Sequence, residues 1–251
     1  MNQSDSKGVD ILAVCAHPDD AELNCAGLLL MAKAKGARAA VLDLTRGEAA
    51  SRGTPEIRQN EAAVATRLLG LSARDNLGLA DGQLAVQTET IQRIVAKIRH
   101  YRPRMVITSH WDDHHPDHQS TSMLVRQACY LSGIGNFPLD SADDKAAPHR
   151  PEQVLFYLDR LGHTPHLVQD VSTVFDKKLA AVKCYASQLY DIDTQEVTTP
   201  LAAADFLEQW QSRHRYYGSL IGVRYGEAYV LRSPVPINNP LDLLWGRDGI
   251  V

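Results

Sequence analysis

Two short polar clusters in this sequence carry side chains that can bind a metal ion or transfer protons. The first is 16–22 (AHPDDAE), and the second is 110–118 (HWDDHHPDH). His17 and Asp20 are three residues apart across a turn, which is close enough for both to bind one ion. We expect His118 of the second cluster to be the third ligand, because two imidazoles and one carboxylate form a ligand set used for catalytic zinc.

The neighbours of these ligands have the side chains that metal-assisted hydrolysis needs. A bound Zn²⁺ lowers the pKa of its water to about 7 and polarises a carbonyl, and Asp19 is then free to act as the general base. His115 could protonate a leaving amine or stabilise an oxyanion. Asp117 could hydrogen-bond His115 and hold it charged. Fe²⁺ could occupy the same ligands in the cell, because sites of nitrogen and oxygen discriminate weakly between such ions.

Both clusters follow an apolar strand and precede a helix. The strands are predicted at 9–16 and 104–109, and Pro116 is expected in the first turn of the second helix, with His115 extended before it. Ligands of open α/β sheets bind at the carboxyl ends of the strands. The two clusters are therefore expected to meet above one sheet.

The rest of the chain continues the alternation of strands and helices, which indicates an α/β fold with a mostly parallel sheet. We predict one domain over 1–231 and a proline-containing apolar tail over 232–251 that suits a subunit contact. Further strands are predicted at 37–44, 153–158, 166–171 and 225–231, and 76–79 is expected to be a short strand or a loop. Helices are predicted at 23–34, 55–70, 86–100, 120–132, 174–189 and 200–217.

Composition narrows the class of protein. The chain has 251 residues, a hydrophobic fraction of 44%, and a net charge of −4, which offers no surface for nucleic acid. No apolar run approaches the length of about 20 residues that a membrane span needs. The first ten residues lack the features of a signal peptide, and the four cysteines form no CxxC pair. We therefore expect a cytoplasmic protein with reduced thiols and no membrane partner.

The two clusters together resemble the LmbE-like or PIG-L superfamily of zinc-dependent N-acetyl-sugar deacetylases. The nearest branch is that of the bacillithiol-pathway deacetylases, which act on N-acetylglucosaminyl malate. The resemblance extends over nearly the whole chain to about residue 231. Further counterparts are 45–48 (TRGE), Arg58 with Glu61, 101–103 (YRP), 185–188 (YASQ) and 222–227 (GVRYGE).

This resemblance implies a Rossmann-like three-layer sandwich with Zn²⁺ bound by His17, Asp20 and His118. It also implies that Asp19 is the base and that His115 is the acid or the oxyanion-stabilising group. Arg58 matches the place of a substrate-contacting arginine in the helix after the second strand.

Glu48 and His114 are further candidate contacts with an amino-sugar substrate. His114 stands where the bacillithiol branch often has arginine. A homo-oligomer, trimeric or hexameric, is expected.

Other interpretations of these residues and of the function remain open. Arg58 and Glu61 could form a structural ion pair on one helix face, and His114 could be a surface residue. Glu22 could serve the helix dipole. The same site would suit a chito-oligosaccharide deacetylase or an amidase acting on thiol conjugates. A phosphoester hydrolase would call for more carboxylates or a second metal, and a non-catalytic metal- or sugar-binding protein would not need Asp19 and His115.

Overall fold

A computed structural model of the chain describes residues 8–139, 146–191 and 199–235. Seven strands form one sheet in the order β3-β2-β1-β4-β5-β7-β6. Strands β1 to β5 are parallel, and β7 runs antiparallel to both β5 and β6. The strands are β1 Ile11–Cys15, β2 Ala39–Thr45, β3 Ala73–Leu79, β4 Met105–Ser109, β5 Gln153–Tyr157, β6 Leu167–Asp170 and β7 Gly226–Val230.

Helices lie between the strands and cover both faces of the sheet. They are α1 Asp20–Asn24, α2 Ala26–Ala34, α3 Pro55–Leu69, α4 Thr88–Tyr101, α5 Pro116–Leu131, α6 Phe175–Val182 and α7 Phe206–Ser219, with a 3₁₀ turn at Ala186–Gln188. Within the described ranges, no helix has both the length and the apolar character that crossing a membrane requires.

Strand β1 separates two hydrophobic cores, because successive side chains of a strand point to opposite faces. Leu12 and Val14 pack with residues of α4 and α5. Ile11, Ala13 and Cys15 pack on the other face with residues of α1 and α2. All five residues of β1 are buried, which explains why its sequence is continuously apolar. The predicted α/β fold with three layers and a mostly parallel sheet is confirmed.

The predicted helix 23–34 is wrong as a single element, because the backbone breaks at Cys25 (φ −134°, ψ 5°). A buried carboxylate explains the break. Glu227 of β7 accepts hydrogen bonds from the main-chain N–H groups of Gly27 and Leu28, each at 2.7 Å, which gives α2 its own N-terminus. A Cβ atom on Gly27 would lie 2.7 Å from Glu227 Oε1, so only glycine allows this approach.

Three other predicted helix boundaries differ from the observed ones. Helix α5 begins at Pro116, as expected from the proline, and so earlier than the amphipathic stretch 120–132; the His115 side chain caps it by accepting the N–H of Asp117. The predicted helix 174–189 ends at Val182, and the chain turns so that Ser187 can bind Glu61 through its N–H and Oγ, both at 2.8 Å. Helix α7 begins at Phe206, later than predicted.

The predicted tail 232–251 is described only as far as residue 235. Residues 236–251 lie outside the described part of the chain. Their role as a subunit contact therefore stays a prediction.

Candidate active site

The two polar clusters come together at the carboxyl ends of β1 and β4, which are neighbours in the sheet. His17 follows β1, Asp20 opens α1, and His118 lies in the first turn of α5. Each of these three side chains offers a ligand atom, and the three atoms all lie within 4.8 Å of one another. Asp20 Oδ1 is 3.3 Å from His118 Nε2.

This donor set fits a divalent ion. Two imidazoles and one carboxylate leave positions open for water and substrate, as catalytic zinc sites do. His17, His115 and Asp117 form an alternative group with the same spacing. In that group both oxygens of Asp117 are engaged by main-chain N–H groups, those of Gly82 at 2.7 Å and Leu84 at 3.1 Å. The group with Asp20 is therefore the better ligand set.

The metal-binding candidates stabilise one another electrostatically. Burial alone would lower the pKa of His118, but the carboxylates of Asp20 and Asp113 outweigh burial and raise that pKa to about 10. Burial likewise opposes the charge on His17, yet Asp117, Asp20 and Asp81 raise its pKa well above the ordinary value. Burial would raise the pKa of Asp20, but His118 and His17 hold it well below its usual range.

Asp19 occupies a strained backbone position beside these ligands. Its φ of 116° lies in a region that non-glycine residues rarely adopt, and it immediately precedes α1. Its carboxylate is buried and lies 3.2 Å from Arg58 Nη2. Burial raises the pKa of Asp19 to about 7, although the charge of Arg58 opposes the rise. A carboxyl group that titrates near neutral pH is suited to general-base catalysis.

Arg58 lies on the buried face of α3 and reaches the turn that carries Asp19. Its guanidinium also donates a hydrogen bond to the carbonyl of Pro18. A Cβ atom on Gly47 would lie 3.2 Å from Arg58 Cζ, so the glycine makes room for the guanidinium. The alternative of an Arg58–Glu61 ion pair is wrong, because Glu61 binds Ser187 instead.

His115 caps α5 and turns its ring toward the site. Its Nδ1 accepts the main-chain N–H of Asp117 at 3.2 Å, so the neutral ring carries its proton on Nε2. The ring centroid is 4.9 Å from those of both His17 and His118. Burial, with repulsion from those two histidines, lowers the pKa of His115. The arrangement presents a neutral N–H donor.

The contact predicted between the Asp117 carboxylate and His115 is wrong. The two residues are joined by the main-chain N–H of Asp117, while its carboxylate accepts the N–H groups of Gly82 and Leu84. Asp117 Oδ2 also lies 3.5 Å from His17 Nε2. Asp117 therefore anchors the loop after β3 near His17 and does not hold His115 charged.

The other two predicted substrate contacts lie at the rim of the site. His114 is 44% exposed, with Nδ1 3.0 Å from Asp113 Oδ1 and 3.8 Å from Asp159 Oδ2. Asp113, His114 and Asp159 also bring three possible metal-binding atoms close together. This group is a poorer metal site, because Arg213 pairs with Asp159 at 2.7 Å and neutralises its charge. Glu48 is exposed and accepts the N–H of Asp81 at 2.9 Å, which joins the loops after β2 and β3.

Two carboxylates at the site were missed in the sequence. Asp81 Oδ1 lies 2.9 Å from His17 Nε2, and Asp113 Oδ2 lies 3.2 Å from His118 Nδ1. Metal-binding histidines commonly have a carboxylate on the ring nitrogen that faces away from the ion. That rule, together with the place of Asp113 inside the second cluster, was a usable signal. Asp81 lies outside both clusters, so the sequence contained no comparable signal for it.

Beneath the turn, Arg74 of β3 neutralises two buried carboxylates. Its Nη1 is 2.6 Å from Glu22 Oε1, and its Nε is 2.7 Å from Asp43 Oδ2. Glu22 lies in the first turn of α1, as the dipole explanation requires. The ion pair adds a direct link between α1 and β3.

Comparison with known proteins places this site in a family. A family model described as PIG-L, GlcNAc-PI de-N-acetylase, matches residues 12–129. The chain is 29% identical over 230 residues to the diacetylchitobiose deacetylase of Thermococcus kodakarensis, covering 86% of this chain and 80% of that protein. It is 29% identical over 192 residues to "Probable N-acetyl-alpha-D-glucosaminyl L-malate deacetylase 2" of Bacillus anthracis, covering 71% and 80%. It is 31% identical over 132 residues to "Uncharacterized deacetylase YaiS" of Escherichia coli, covering 50% and 71%.

A solved structure extends the similarity to the whole fold. The conserved protein TT1542 from Thermus thermophilus superimposes with a TM-score of 0.82 and 38% identity, covering 95% of this chain and 99% of that one. The predicted family is confirmed. The chain belongs to the PIG-L family of N-acetyl-sugar deacetylases.

Proposed function

We propose that this deacetylase hydrolyses the acetamide of an N-acetylglucosamine conjugate with the help of zinc, and that acetate and a free amino sugar are released. One observation carries the proposal. His17, Asp20 and His118 converge to within 4.8 Å, with the strained Asp19 and the ring of His115 beside them. A protein that only bound a metal or a sugar would not need the last two side chains.

Each residue has a role in the proposed reaction. His17, Asp20 and His118 would hold the ion, which when bound polarises the acetamide carbonyl and lowers the pKa of water. Asp19 accepts a proton from the water that attacks the carbonyl carbon. His115 donates a hydrogen bond from Nε2 to the oxyanion that develops. The C–N bond then breaks, and the proton taken up by Asp19 passes to the leaving nitrogen.

The preferred substrate within this class is proposed to be N-acetylglucosaminyl malate of bacillithiol biosynthesis. The similarity to the Bacillus anthracis protein supports this choice. A neutral disaccharide such as diacetylchitobiose is the second candidate, and the rim favours it. His114 lies between the carboxylates of Asp113 and Asp159, and Arg58 is already paired with Asp19. Because His114 and Arg58 each already lie against a carboxylate, neither is free to bind an anionic malate group.

Measurement of acetate release tests both the proposed reaction and the proposed substrate. Purified protein would be stripped with a chelator, restored with Zn²⁺ or Fe²⁺, and given N-acetylglucosaminyl malate, N-acetylglucosamine or diacetylchitobiose. We expect metal-dependent release that is fastest with the malate conjugate. Faster release from diacetylchitobiose would keep the reaction and change the substrate. No release from any of the three by metal-loaded protein would contradict the proposal.

The cellular setting is proposed to be the cytoplasm, and the assembly a homotrimer or homohexamer. Light scattering of the full chain, and of a chain ended after Leu231, tests the assembly and the contribution of 232–251. We expect the full chain to be oligomeric and the shortened chain to dissociate. An unchanged oligomer would remove the role of the tail.

A further inference from the structure

We propose that Asp113 is a positioning residue of the metal centre, which fixes the tautomer and ring orientation of His118 without binding the ion itself. The inference rests on the proposed function, because it takes His118 to be a ligand. It assigns a task to a buried carboxylate that the reaction as proposed does not use.

The ring of His118 lies between two carboxylates. Its Nε2 is 3.3 Å from Asp20 Oδ1, and its Nδ1 is 3.2 Å from Asp113 Oδ2. The nitrogen that faces Asp20, the carboxylate ligand, is the one placed to bind the ion. A carboxylate on the opposite side favours the proton on Nδ1, which leaves the lone pair of Nε2 free.

Both His118 Nδ1 and the Asp113 side chain are buried, so each has few other polar groups to contact. His118 Nδ1 is buried and has no hydrogen bond of standard geometry among the described residues, so the carboxylate of Asp113, 3.2 Å away, is the group placed to attract its proton. The Asp113 side chain is only 2% exposed. Because a buried charge is costly without partners, these two groups are each held in place by the other.

The second oxygen of Asp113 holds the segment that leads into α5. Asp113 Oδ1 accepts the main-chain N–H of His115 at 2.9 Å and lies 3.0 Å from His114 Nδ1. One carboxylate therefore orients the ring of His118 through Oδ2 and fixes the backbone of His115 through Oδ1. The two tasks belong to different oxygen atoms, so they can be separated by substitution.

Asp113→Asn is the informative variant. The amide oxygen can still accept the N–H of His115, which preserves the loop. The amide NH₂ would then face His118 Nδ1 and favour the tautomer with its proton on Nε2, the nitrogen needed for the ion. A residue that served only the loop would tolerate this change.

The experiment measures the Zn²⁺ dissociation constant by competition with a chromophoric chelator. Wild type, Asp113→Asn, Asp113→Glu and His118→Ala would be compared with Asp112→Asn, a control whose side chain is 73% exposed. We expect Asp113→Asn to weaken zinc binding about 10 to 100-fold, and Asp113→Glu, which keeps the charge, to recover part of the loss. We expect Asp112→Asn to bind zinc as wild type does.

Two further measurements distinguish a change in the orientation of the His118 ring from a general loss of folding. The unfolding midpoint of each metal-free variant reports on the loop, and the visible absorption of the Co²⁺-loaded protein reports on the geometry of the ligands. We expect the Co²⁺ spectrum to change in Asp113→Asn and to stay like that of wild type in Asp112→Asn. If Asp113→Asn does not fold, Asp113→Glu decides: zinc binding weaker than that of wild type with an altered Co²⁺ spectrum supports the proposal, and wild-type affinity with an unaltered spectrum opposes it.

The outcomes also separate this inference from the proposed function. Wild-type affinity in Asp113→Asn, with zinc binding lost in His118→Ala, would overturn the role of Asp113 and leave the metal centre intact. Wild-type affinity in His118→Ala would overturn the metal centre, and the role of Asp113 with it.

Discussion

Asp19, the proposed general base, shows how the surroundings of a single residue can set its conformation and its pKa. The turn forces its backbone to a φ of 116°, burial raises its pKa to about 7, and Arg58 lies 3.2 Å away to orient the carboxylate. Strain of this kind persists only where the surrounding structure determines it. Here the main-chain N–H of His17 bonds to Asp20 at 2.9 Å, and the carbonyl of Pro18 bonds to Arg58.

Asp19→Asn tests the base. Asparagine tolerates a positive φ and has the same shape, so we expect the fold and the zinc content to be unchanged. The variant cannot accept the proton of the attacking water, and kcat should fall by about 10² to 10⁴-fold. Steady-state acetate release and metal analysis of the same sample measure both quantities. Unchanged turnover would exclude Asp19 as the base.

His115 has two separable tasks, because one ring nitrogen caps α5 and the other faces the site. We expect His115→Ala to lower kcat at least about 10²-fold and to lower the free energy of unfolding by about 1 kcal/mol through loss of the cap. His115→Asn is the matched variant, since asparagine is a good N-cap. It should recover the stability and not the turnover, as measured by urea unfolding and acetate release. Recovery of both would argue against a catalytic task for the ring.

At the scale of the element, the active-site turn depends on a break between two helices. Helix α2 starts at Ala26 because Glu227 accepts the N–H groups of Gly27 and Leu28, and Lys178 and Tyr229 contact the same carboxylate. The side chains of Lys178 and Glu227 are fully buried. The break lets α1 turn Asp20 toward His17 and His118 while α2 packs along the sheet.

Glu227→Gln should destabilise the protein strongly. Glutamine leaves the buried charge of Lys178 without its partner, and breaking a buried pair from one side costs about 3 to 5 kcal/mol. Urea unfolding of the metal-free protein measures the change in the free energy of unfolding. Glu152→Gln is the control, because the side chains of Glu152 and its partner Arg104 are both exposed. Their ion pair should contribute nothing measurable to the free energy of unfolding. Equal effects of the two substitutions would contradict this account of the break.

The sequence predicted those elements whose causes are local. The apolar run before His17 predicted β1, and Pro116 predicted the extended His115 and the first turn of α5. The break at Cys25 could not be predicted, because the carboxylate that causes it is 200 residues away from Gly27. Similarly, the apolar side chains of Ile57 and Val64 in α3 are both 44% exposed, whereas Arg58 of the same helix is buried.

For the candidate site, too, the sequence predicted the residues within the two motifs better than the contacts made by distant loops. The convergence of His17, Asp20 and His118 follows from the spacing of the motifs at the ends of two strands and from the family resemblance. The partners behind the ligands depend on which loops reach them, and so Asp81 was missed and the Asp117 carboxylate was placed on the wrong neighbour.

For the molecule as a whole, buried titratable groups couple stability to pH. His214 of α7 is 3% exposed, and its Nδ1 lies 2.8 Å from the carbonyl of Trp210. Burial, with repulsion from Lys178 and Arg213, holds the pKa of His214 well below its ordinary value. The native protein thus keeps this ring neutral at a pH at which the unfolded chain would protonate it.

This difference in protonation predicts that the protein becomes less stable as the pH falls. As the pH falls through about 6.5, the unfolded state binds a proton that the native state does not, so stability falls with pH by up to about 1.4 kcal/mol per pH unit. We expect wild type to lose about 1 kcal/mol more than His214→Gln between about pH 7 and pH 5.5. Urea unfolding at each pH measures the difference, with His100→Gln, an exposed residue, as the control. Parallel pH curves for wild type and His214→Gln would refute the assignment.

The contact between Glu227 and the start of α2 also sets an order of events during biosynthesis. The carboxylate and the N–H groups that it accepts are 200 and 199 residues apart in the chain. A ribosome that adds 5 to 20 residues each second needs about 10 to 40 s to cover that distance. During that time the nascent motif has no counterpart for its exposed N–H groups, and edge strand β6 also waits, because β7 is its neighbour in the sheet. The contact that gives α2 its own N-terminus can therefore form only after β7 has been translated.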